Sequence, residues 1–124
     1  KGEYMKVVAI RVFIPSKDYE VSKRFYQSLG FEMERASDDL SIFENNGSTF
    51  FLSRHYNEDV KTNLMMQLAV SDIDAVYENL STLTDFDIKY KPIIVEPWGR
   101  VIYLTGPSGE LWHITQFNPI EGES

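Results

Sequence analysis

The chain nearly repeats itself at about half its length, and this feature constrains the fold more than any other. Asp18 follows one apolar run and Asp72 follows another, at an offset of 54 residues. Gly47 and Gly109 each stand in a turn ahead of a strand-like run, at an offset of 62 residues. Each half therefore predicts a strand, a helix and then several strands. A unit of this kind cannot bury its own apolar sheet face, so we expect two units to pair, with space for a ligand between them.

The first half, over residues 5–55, predicts one βαβββ module. A run rich in β-branched residues over 7–14 predicts its first strand. Residues 18–29 carry apolar side chains at helical spacing, with Asp18 as the N-cap and Gly30 just past the end. Further strands are predicted over 31–35, 40–44 and 49–54, and Asn45-Asn46-Gly47 is typical of a hairpin turn.

The second half, over residues 64–117, predicts a second module of the same order, and the polar residues 56–63 predict a linker. Its strands are expected over 64–70, 88–95, 100–105 and 110–117, and its helix from Asp72 to about residue 83. A four-residue turn in the last hairpin would pair Ile102 with His113 and Tyr103 with Trp112. The 124 residues are therefore predicted to form a single α+β domain, in which two βαβββ modules make cupped mixed sheets.

Charge and composition narrow the classes of partner. The net charge is −7 and the sequence pI is about 4.7, so Lys and Arg are too few to neutralise nucleic acid or an anionic membrane surface. A negative field attracts cationic ligands instead. The sequence has no cysteine, no apolar run of the ~18 residues that a membrane span needs, and no signal-peptide core, so we expect a cytoplasmic protein. Aromatic residues make up 14% of the chain, which favours a binding surface or a subunit interface.

Segments in both halves resemble one known superfamily. They are Phe13–Asp18, Phe25-Tyr26 and Leu29–Phe31 in the first half, and the hairpin Gly99–His113 in the second. With the order βαβββ–βαβββ, they are similar to the vicinal oxygen chelate superfamily. That group includes glyoxalase I, extradiol dioxygenases, fosfomycin-resistance enzymes and bleomycin-resistance proteins. The resemblance extends over essentially the whole chain and implies the same paired modules.

The metalloenzymes of this superfamily carry one metal ligand on each of four strands, and the internal repeat locates those positions in this chain. They hold Arg11, Phe51, Met65 and His113. Only His113 offers a donor suited to a hard or borderline divalent ion, since Arg11 repels a cation and Met65 supplies a soft thioether. The sequence therefore predicts no metal, no cofactor and no catalytic residue, and it favours a binding protein over an enzyme.

Strand alternation predicts a groove in place of the metal site. Its predicted lining is Arg11, Phe13, Phe51, Ser53, Met65, Gln67, Ile102 and His113, with Trp98 and Arg100 in a neighbouring loop. Phe13 and Phe51 are equally compatible with core positions, and His113 with a core imidazole that is hydrogen bonded internally. Trp98 would stack on a ligand or on a partner subunit, or else fold over the end of the sheet.

Within the superfamily, the chain looks most like the bleomycin-resistance proteins, through Phe51–Arg54, Val70–Asp72, Gly99-Arg100 and His113. That resemblance implies a homodimer with strand or arm exchange, and a metal-independent site that binds and sequesters a small, antibiotic-like organic molecule. The ligand is predicted to be planar and cationic, although Arg11 also suits a carboxylate or phosphate. Gln67 departs from the family pattern, which has an aromatic residue nearby, and so does Gly106-Pro107 at the last turn.

Two other functions stay open from the sequence. A metal-dependent lyase or dioxygenase-type oxidoreductase with a non-standard ligand set would hold a divalent ion near His113. A structural or regulatory module without a small ligand would use Trp98 and Phe51 only for stability or for contact with a protein partner.

Overall fold

Two mixed β-sheets form, one from each half of the sequence, in a computed structural model that describes residues 5–56 and 64–119. Each sheet is preceded by one strand and one helix in chain order, so the predicted α+β fold of two βαβββ modules is confirmed. Of the predicted linker over 56–63, only Tyr56 lies within the described residues.

The first sheet combines strands from the first half with one helix. Its elements are β1 (Phe13–Pro15), α1 (Tyr19–Leu29), β2 (Glu32–Ser37), β3 (Leu40–Asn45) and β4 (Ser48–Ser53). The strand order is β1-β4-β3-β2, with β1 parallel to β4 and the other pairs antiparallel. The predicted hairpin turn is confirmed, because Asn46 and Gly47 have φ of 51° and 87° and join β3 to β4.

The first strand is shorter than the sequence predicts. β1 covers three residues, and residues 5–12 belong to no strand. Within that segment, Val8 and Ile10 are 93% and 87% exposed. The physical reason is that a strand needs a neighbouring edge for its N–H and C=O groups. The contact with β4 begins only where Phe51 donates its N–H to the carbonyl of Val12, at 2.9 Å.

The second sheet is built in the same way. Its elements are β5 (Met65–Ala69), α2 (Ile73–Leu80), β6 (Lys89–Tyr90), β7 (Ile94–Glu96), β8 (Gly99–Thr105) and β9 (Leu111–Phe117). The strand order is β5-β9-β8-β6, and β7 also pairs with β8. β5 is parallel to β9, as β1 is to β4, so the internal repeat extends to the strand directions.

The single strand predicted over 88–95 is wrong, because the structure divides it into β6 and β7. Pro92 lies in the gap between them. Proline has no N–H to donate to a ladder, so the pairing with β8 stops before it and resumes at Ile94.

The pairing in the last hairpin differs by one residue from the prediction. Tyr103 lies opposite His113 and Ile102 lies opposite Ile114, so the predicted pairing of Ile102 with His113 is wrong, as is that of Tyr103. The connecting turn has five residues, 106–110, rather than four. One extra residue shifts every cross-strand pair by one position and so changes which side chains share a face with His113.

The helix boundaries follow the predicted caps. Asp18 accepts a hydrogen bond from the N–H of Val21 and begins α1, and Asp72 accepts one from the N–H of Ala75 and begins α2. Gly30 ends α1 with a φ of 118°, in the left-handed region that favours glycine. The second helix ends at residue 80, three residues before the predicted end. Among the described residues, neither helix has the length and apolar character of a membrane span.

Aromatic side chains from both halves share one core between the sheets. The ring of Tyr26, on α1, lies 5.0 Å from that of Phe50 in the first sheet and 5.9 Å from that of Trp112 in the second. Phe50 and Trp112 also contact each other, at 5.8 Å. The core therefore lies against one face of each sheet, the face that carries the helix, which we call the inner face.

A buried carboxyl group joins the halves inside this core. Glu110 is 1% exposed and accepts hydrogen bonds from the hydroxyl of Tyr26 and from the N–H of Ser108. Trp112 donates its Nε1–H to the same tyrosine hydroxyl at 2.9 Å. Burial raises the pKa of Glu110, and burial together with the neighbouring carboxylate raises the pKa of Tyr26 well above its usual range.

Candidate ligand-binding faces

Each sheet also has an outer face, which we define as the face opposite to its helix. Because side chains alternate along a strand, Phe50 enters the core while Phe51 lies on the outer face of the first sheet. Trp112 and His113 alternate in the same way in the second sheet. Since the inner faces share one core, the two outer faces point away from each other. The predicted groove is therefore not closed within one chain, and its residues fall into two separate sets.

The first set consists of Arg11, Phe13 and Phe51. Phe13 lies beside Phe51 on parallel strands, and their rings are stacked with centroids 4.8 Å apart and planes 24° apart. The guanidinium carbon of Arg11 lies 5.7 Å from the centre of the Phe51 ring, and its Nε donates to Oγ1 of Thr49 at 2.8 Å. Phe13 is 55% exposed and Phe51 is half-buried, so this pair is not part of the core. Exposed rings beside a cation form a surface on which a planar molecule can stack.

Ser53 lies on the same outer face at the end of β4, but its polar atoms are already used within the chain. Its carbonyl accepts hydrogen bonds from the N–H and the hydroxyl of Ser16, at 2.9 and 2.6 Å. Its hydroxyl accepts one from the N–H of His55 at 3.0 Å. Ser53 is 9% exposed, so it borders the aromatic pair without offering a free donor.

The second set consists of Met65, Gln67 and His113 on the outer face of the second sheet. Gln67 lies beside His113 on parallel strands. Met65 is 60% exposed, Gln67 is exposed and His113 is half-buried. Within residues 5–56 and 64–119, neither ring nitrogen of His113 has a hydrogen-bond partner. The imidazole is therefore not the internally bonded core group that the sequence left open.

Tyr103 and Glu96 belong to this second face, although the sequence analysis did not include them. The ring of Tyr103 meets that of His113 nearly edge-on, with centroids 4.8 Å apart, and its hydroxyl donates to Oε2 of Glu96 at 2.6 Å. This hydrogen bond, with smaller effects of burial and of the carboxylate charge, raises the pKa of Tyr103, so the hydroxyl keeps its proton. A five-residue turn in the sequence reading would have placed Tyr103 opposite His113.

Two residues of the predicted lining lie on the inner side of the second sheet. Ile102 is fully buried in the core. The guanidinium of Arg100 lies 3.0 Å from a carboxylate oxygen of Asp74 and also donates to Gln116, which holds it against the start of α2. The prediction that these two side chains face the groove is therefore wrong. Trp98 occupies the turn between β7 and β8 and is 50% exposed, so it is not folded into the core.

The positions that carry metal ligands in metalloenzymes of this fold do not fit a divalent ion here. Arg11 and Phe51 occupy one outer face and supply no lone pair to a cation. Met65 and His113 occupy the other, where Gln67 adds an amide oxygen. In the part of the chain that the structure describes, no three His, Cys, Asp or Glu side chains come together as a metal-binding group. A thioether, an amide and one imidazole are a weak donor set for Zn²⁺, Mn²⁺ or Fe²⁺.

Two βαβββ modules, each with its first strand parallel to its last and its helix on the inner face, define a class of paired-module α+β proteins. The chain belongs to the Glyoxalase/Bleomycin resistance protein/Dioxygenase superfamily, whose family model matches residues 8–114. The superfamily resemblance seen in the sequence is thereby confirmed. No curated protein sequence matches this one at a significant level.

Solved structures of both binding proteins and resistance proteins share the fold. A bleomycin-binding protein from Streptomyces verticillus, complexed with copper(II)-bleomycin, is 21% identical with a TM-score of 0.75, over 93% of this chain and 100% of that one. An antibiotic-binding protein from Streptomyces sp. CB03234 is 19% identical with a TM-score of 0.76, over 93% and 100%. A fosfomycin resistance protein from Listeria monocytogenes, complexed with Mn(II) and sulfate, is 18% identical with a TM-score of 0.74, over 92% and 93%. At these identities the likeness establishes the fold alone.

Proposed function

We propose that this protein binds and sequesters a planar, antibiotic-like organic molecule, without a metal ion, in a site formed between two copies of the chain. The observation that carries the proposal is the stack of Phe13 on Phe51, which remains exposed on an outer face with Arg11 over one ring. Stacked rings that are not buried by their own chain offer area to a flat ligand.

The exposed apolar side chains support a homodimer. Each outer face holds half of the predicted site, and a two-fold dimer would set the first outer face of one copy against the second outer face of the other, twice. Val8 and Ile10 in the N-terminal segment, and Ile94 and Phe117 beside the second set, are also exposed. Burying such side chains contributes about 1.5–3 kcal/mol each, which favours association and an exchanged N-terminal arm.

The chemistry of the two faces supports an aromatic ligand with a polar group. An aromatic stack contributes about 0.5–1.5 kcal/mol beyond the burial of area. His113, Gln67 and the Tyr103–Glu96 pair supply polar atoms on the opposite side of the groove. The net charge of −7 favours a cationic molecule, while Arg11, which has no carboxylate partner among the described residues, favours an anionic substituent. Micromolar binding, at about −8 kcal/mol, requires no covalent step.

The absence of a fitting ligand set at the four metal positions supports sequestration over turnover. The family includes enzymes, and one structure similar to this chain is a fosfomycin resistance protein complexed with Mn(II). Two others are described as binding bleomycin or an antibiotic. The side chains Arg11, Phe51, Met65 and His113 resemble a contact surface more than a metal centre.

Titration calorimetry on the full chain tests the proposal with copper(II)-bleomycin, metal-free bleomycin and a set of planar cationic and anionic antibiotics. We expect one of them to bind at micromolar or lower concentration, with one site per chain, and to be recovered chemically unchanged. Conversion of the molecule would contradict sequestration. Failure of the whole set to bind or to shift the melting temperature would contradict the ligand class.

A further inference from the structure

The break between β6 and β7 opens a cavity of about 440 Å³ at the edge of the second sheet. Tyr90 pairs with Leu104 and Ile94 pairs with Val101, so three residues on one strand face two on the other. An extra residue of this kind bends the strand away from its partner. The cavity lies where Pro92 interrupts the ladder, and its volume is within the range of small-molecule sites.

The lining of this cavity combines two cations with apolar and aromatic surface. Lys89 and Lys91 line it together with Tyr90, Ile94 and Tyr103. Among the described residues, neither lysine forms an ion pair, and Ile94 is 42% exposed. A carboxylate on Glu96 is nearby, but it already accepts the hydroxyl of Tyr103 and is not part of the lining.

We propose that this cavity binds an aromatic carboxylate, with its ring against the tyrosines and Ile94 and its anionic group between Lys89 and Lys91. Two unpaired ammonium groups at one end of an apolar cavity give such a molecule both charge attraction and burial. A slightly larger cavity, of about 470 Å³, lies near α1, but its lining includes both Arg24 and Asp85 and so has no single preferred charge. The two lysines therefore distinguish the cavity beside Pro92.

This site is independent of the proposed dimer groove. All of its lining residues belong to one chain, and Phe13 and Phe51 do not contribute to it. A failure of the dimer groove would leave binding in this cavity unchanged, and the reverse also holds.

A matched pair of probes tests the proposal. 2-Naphthoate and 2-naphthylmethylammonium share a ring system and differ in charge, and their binding to the full chain can be followed by two-dimensional NMR. We expect 2-naphthoate to bind at least about fivefold more tightly and to shift the resonances of residues 89–94 and Tyr103. Equal affinities, or shifts confined to other residues, would overturn the proposal.

Variants then separate the cavity from general charge effects. We expect Lys89→Met with Lys91→Met to weaken 2-naphthoate about five- to tenfold, since methionine keeps the apolar stem and removes the charge. Lys23→Met alters charge on α1, far from the cavity lining, and should change the affinity by less than about twofold. Phe51→Ala, which disrupts the proposed groove, should leave 2-naphthoate binding unchanged. Unchanged affinity in the double-lysine variant, or an equal loss in Lys23→Met, would refute the assignment.

Discussion

Phe13 lies directly beside Phe51 on parallel strands, in the same register that places Gln67 beside His113 in the second half of the chain. The offsets of 54 and 62 residues read from the sequence relate these pairs exactly position by position. One pair is aromatic and stacked, and the other is polar. The two halves therefore present unlike surfaces from equivalent positions, which suits a site made from one surface of each kind.

The aromatic pair provides the first prediction. Phe51→Ala should weaken binding of the planar ligand by about tenfold, because it removes a stacking partner worth about 0.5–1.5 kcal/mol and some buried area. Phe86→Ala is the matched control, since Phe86 is also half-buried and has Arg24 5.5 Å from its ring centre, but on the helix side. Calorimetry should show a loss for Phe51→Ala alone. Equal losses in both variants would mean that the effect comes from stability.

The N-terminal segment provides a prediction about association. Val8→Asp with Ile10→Asp should weaken the dimer at least tenfold, because a buried charge replaces apolar side chains that association would cover. Light scattering coupled to size exclusion should then report the monomer mass at concentrations where the unaltered chain is dimeric. Val95→Asp, at a side chain that is 78% exposed in β7, should leave the mass unchanged. A dimeric double variant would exclude this segment from the interface.

The donor set provides a prediction about metals. Dialysis against Mn²⁺, Zn²⁺ or Fe²⁺ followed by elemental analysis should leave less than a stoichiometric amount of ion, and the melting temperature should not rise. A tightly bound ion at 100 times its Kd would add about 2.7 kcal/mol of stability and be readily seen. Stoichiometric metal that is lost in His113→Ala would contradict the metal-independent account and restore the enzyme alternative.

Burial of Glu110 predicts a pH dependence of stability. A raised carboxyl pKa means that the folded chain holds this proton more tightly than the unfolded chain does. The contribution is fully present below the ordinary value of 4.5 and is lost as the pH rises through the folded-state pKa. The free energy of unfolding of the native chain should therefore fall relative to Glu110→Gln over this range, by about 1.4 kcal/mol for each unit of pKa shift. Urea unfolding from pH 4 to pH 8 measures the difference, and a constant difference would contradict the burial argument.

Much of the fold follows from local sequence signals. Asp18, Asp72 and Gly30 predict the helix boundaries through caps, and Asn46-Gly47 predicts a hairpin through its left-handed backbone. These signals depend only on neighbouring residues, which is why they are reliable without tertiary information.

The errors come from contacts that local patterns do not contain. The last turn has five residues because Glu110 is drawn into the core by Tyr26, and this places Tyr103 rather than Ile102 beside His113. Arg100 turns toward the helix because Asp74, 26 residues away, is there to pair with it. The separation of the two outer faces is also a property of the packed core, so the repeat alone could not reveal it.

Complementation between two inactive variants tests most directly whether the site is made from two copies. Phe51→Ala removes part of the first outer face and His113→Ala part of the second, so each homodimer should bind the ligand weakly. In a refolded equimolar mixture, each heterodimer would contain one site with neither substitution, and about one quarter of all sites should regain full affinity by random pairing in a two-fold dimer. Calorimetry that detects this fraction would support the account, and a mixture that binds no better than either variant alone would contradict it.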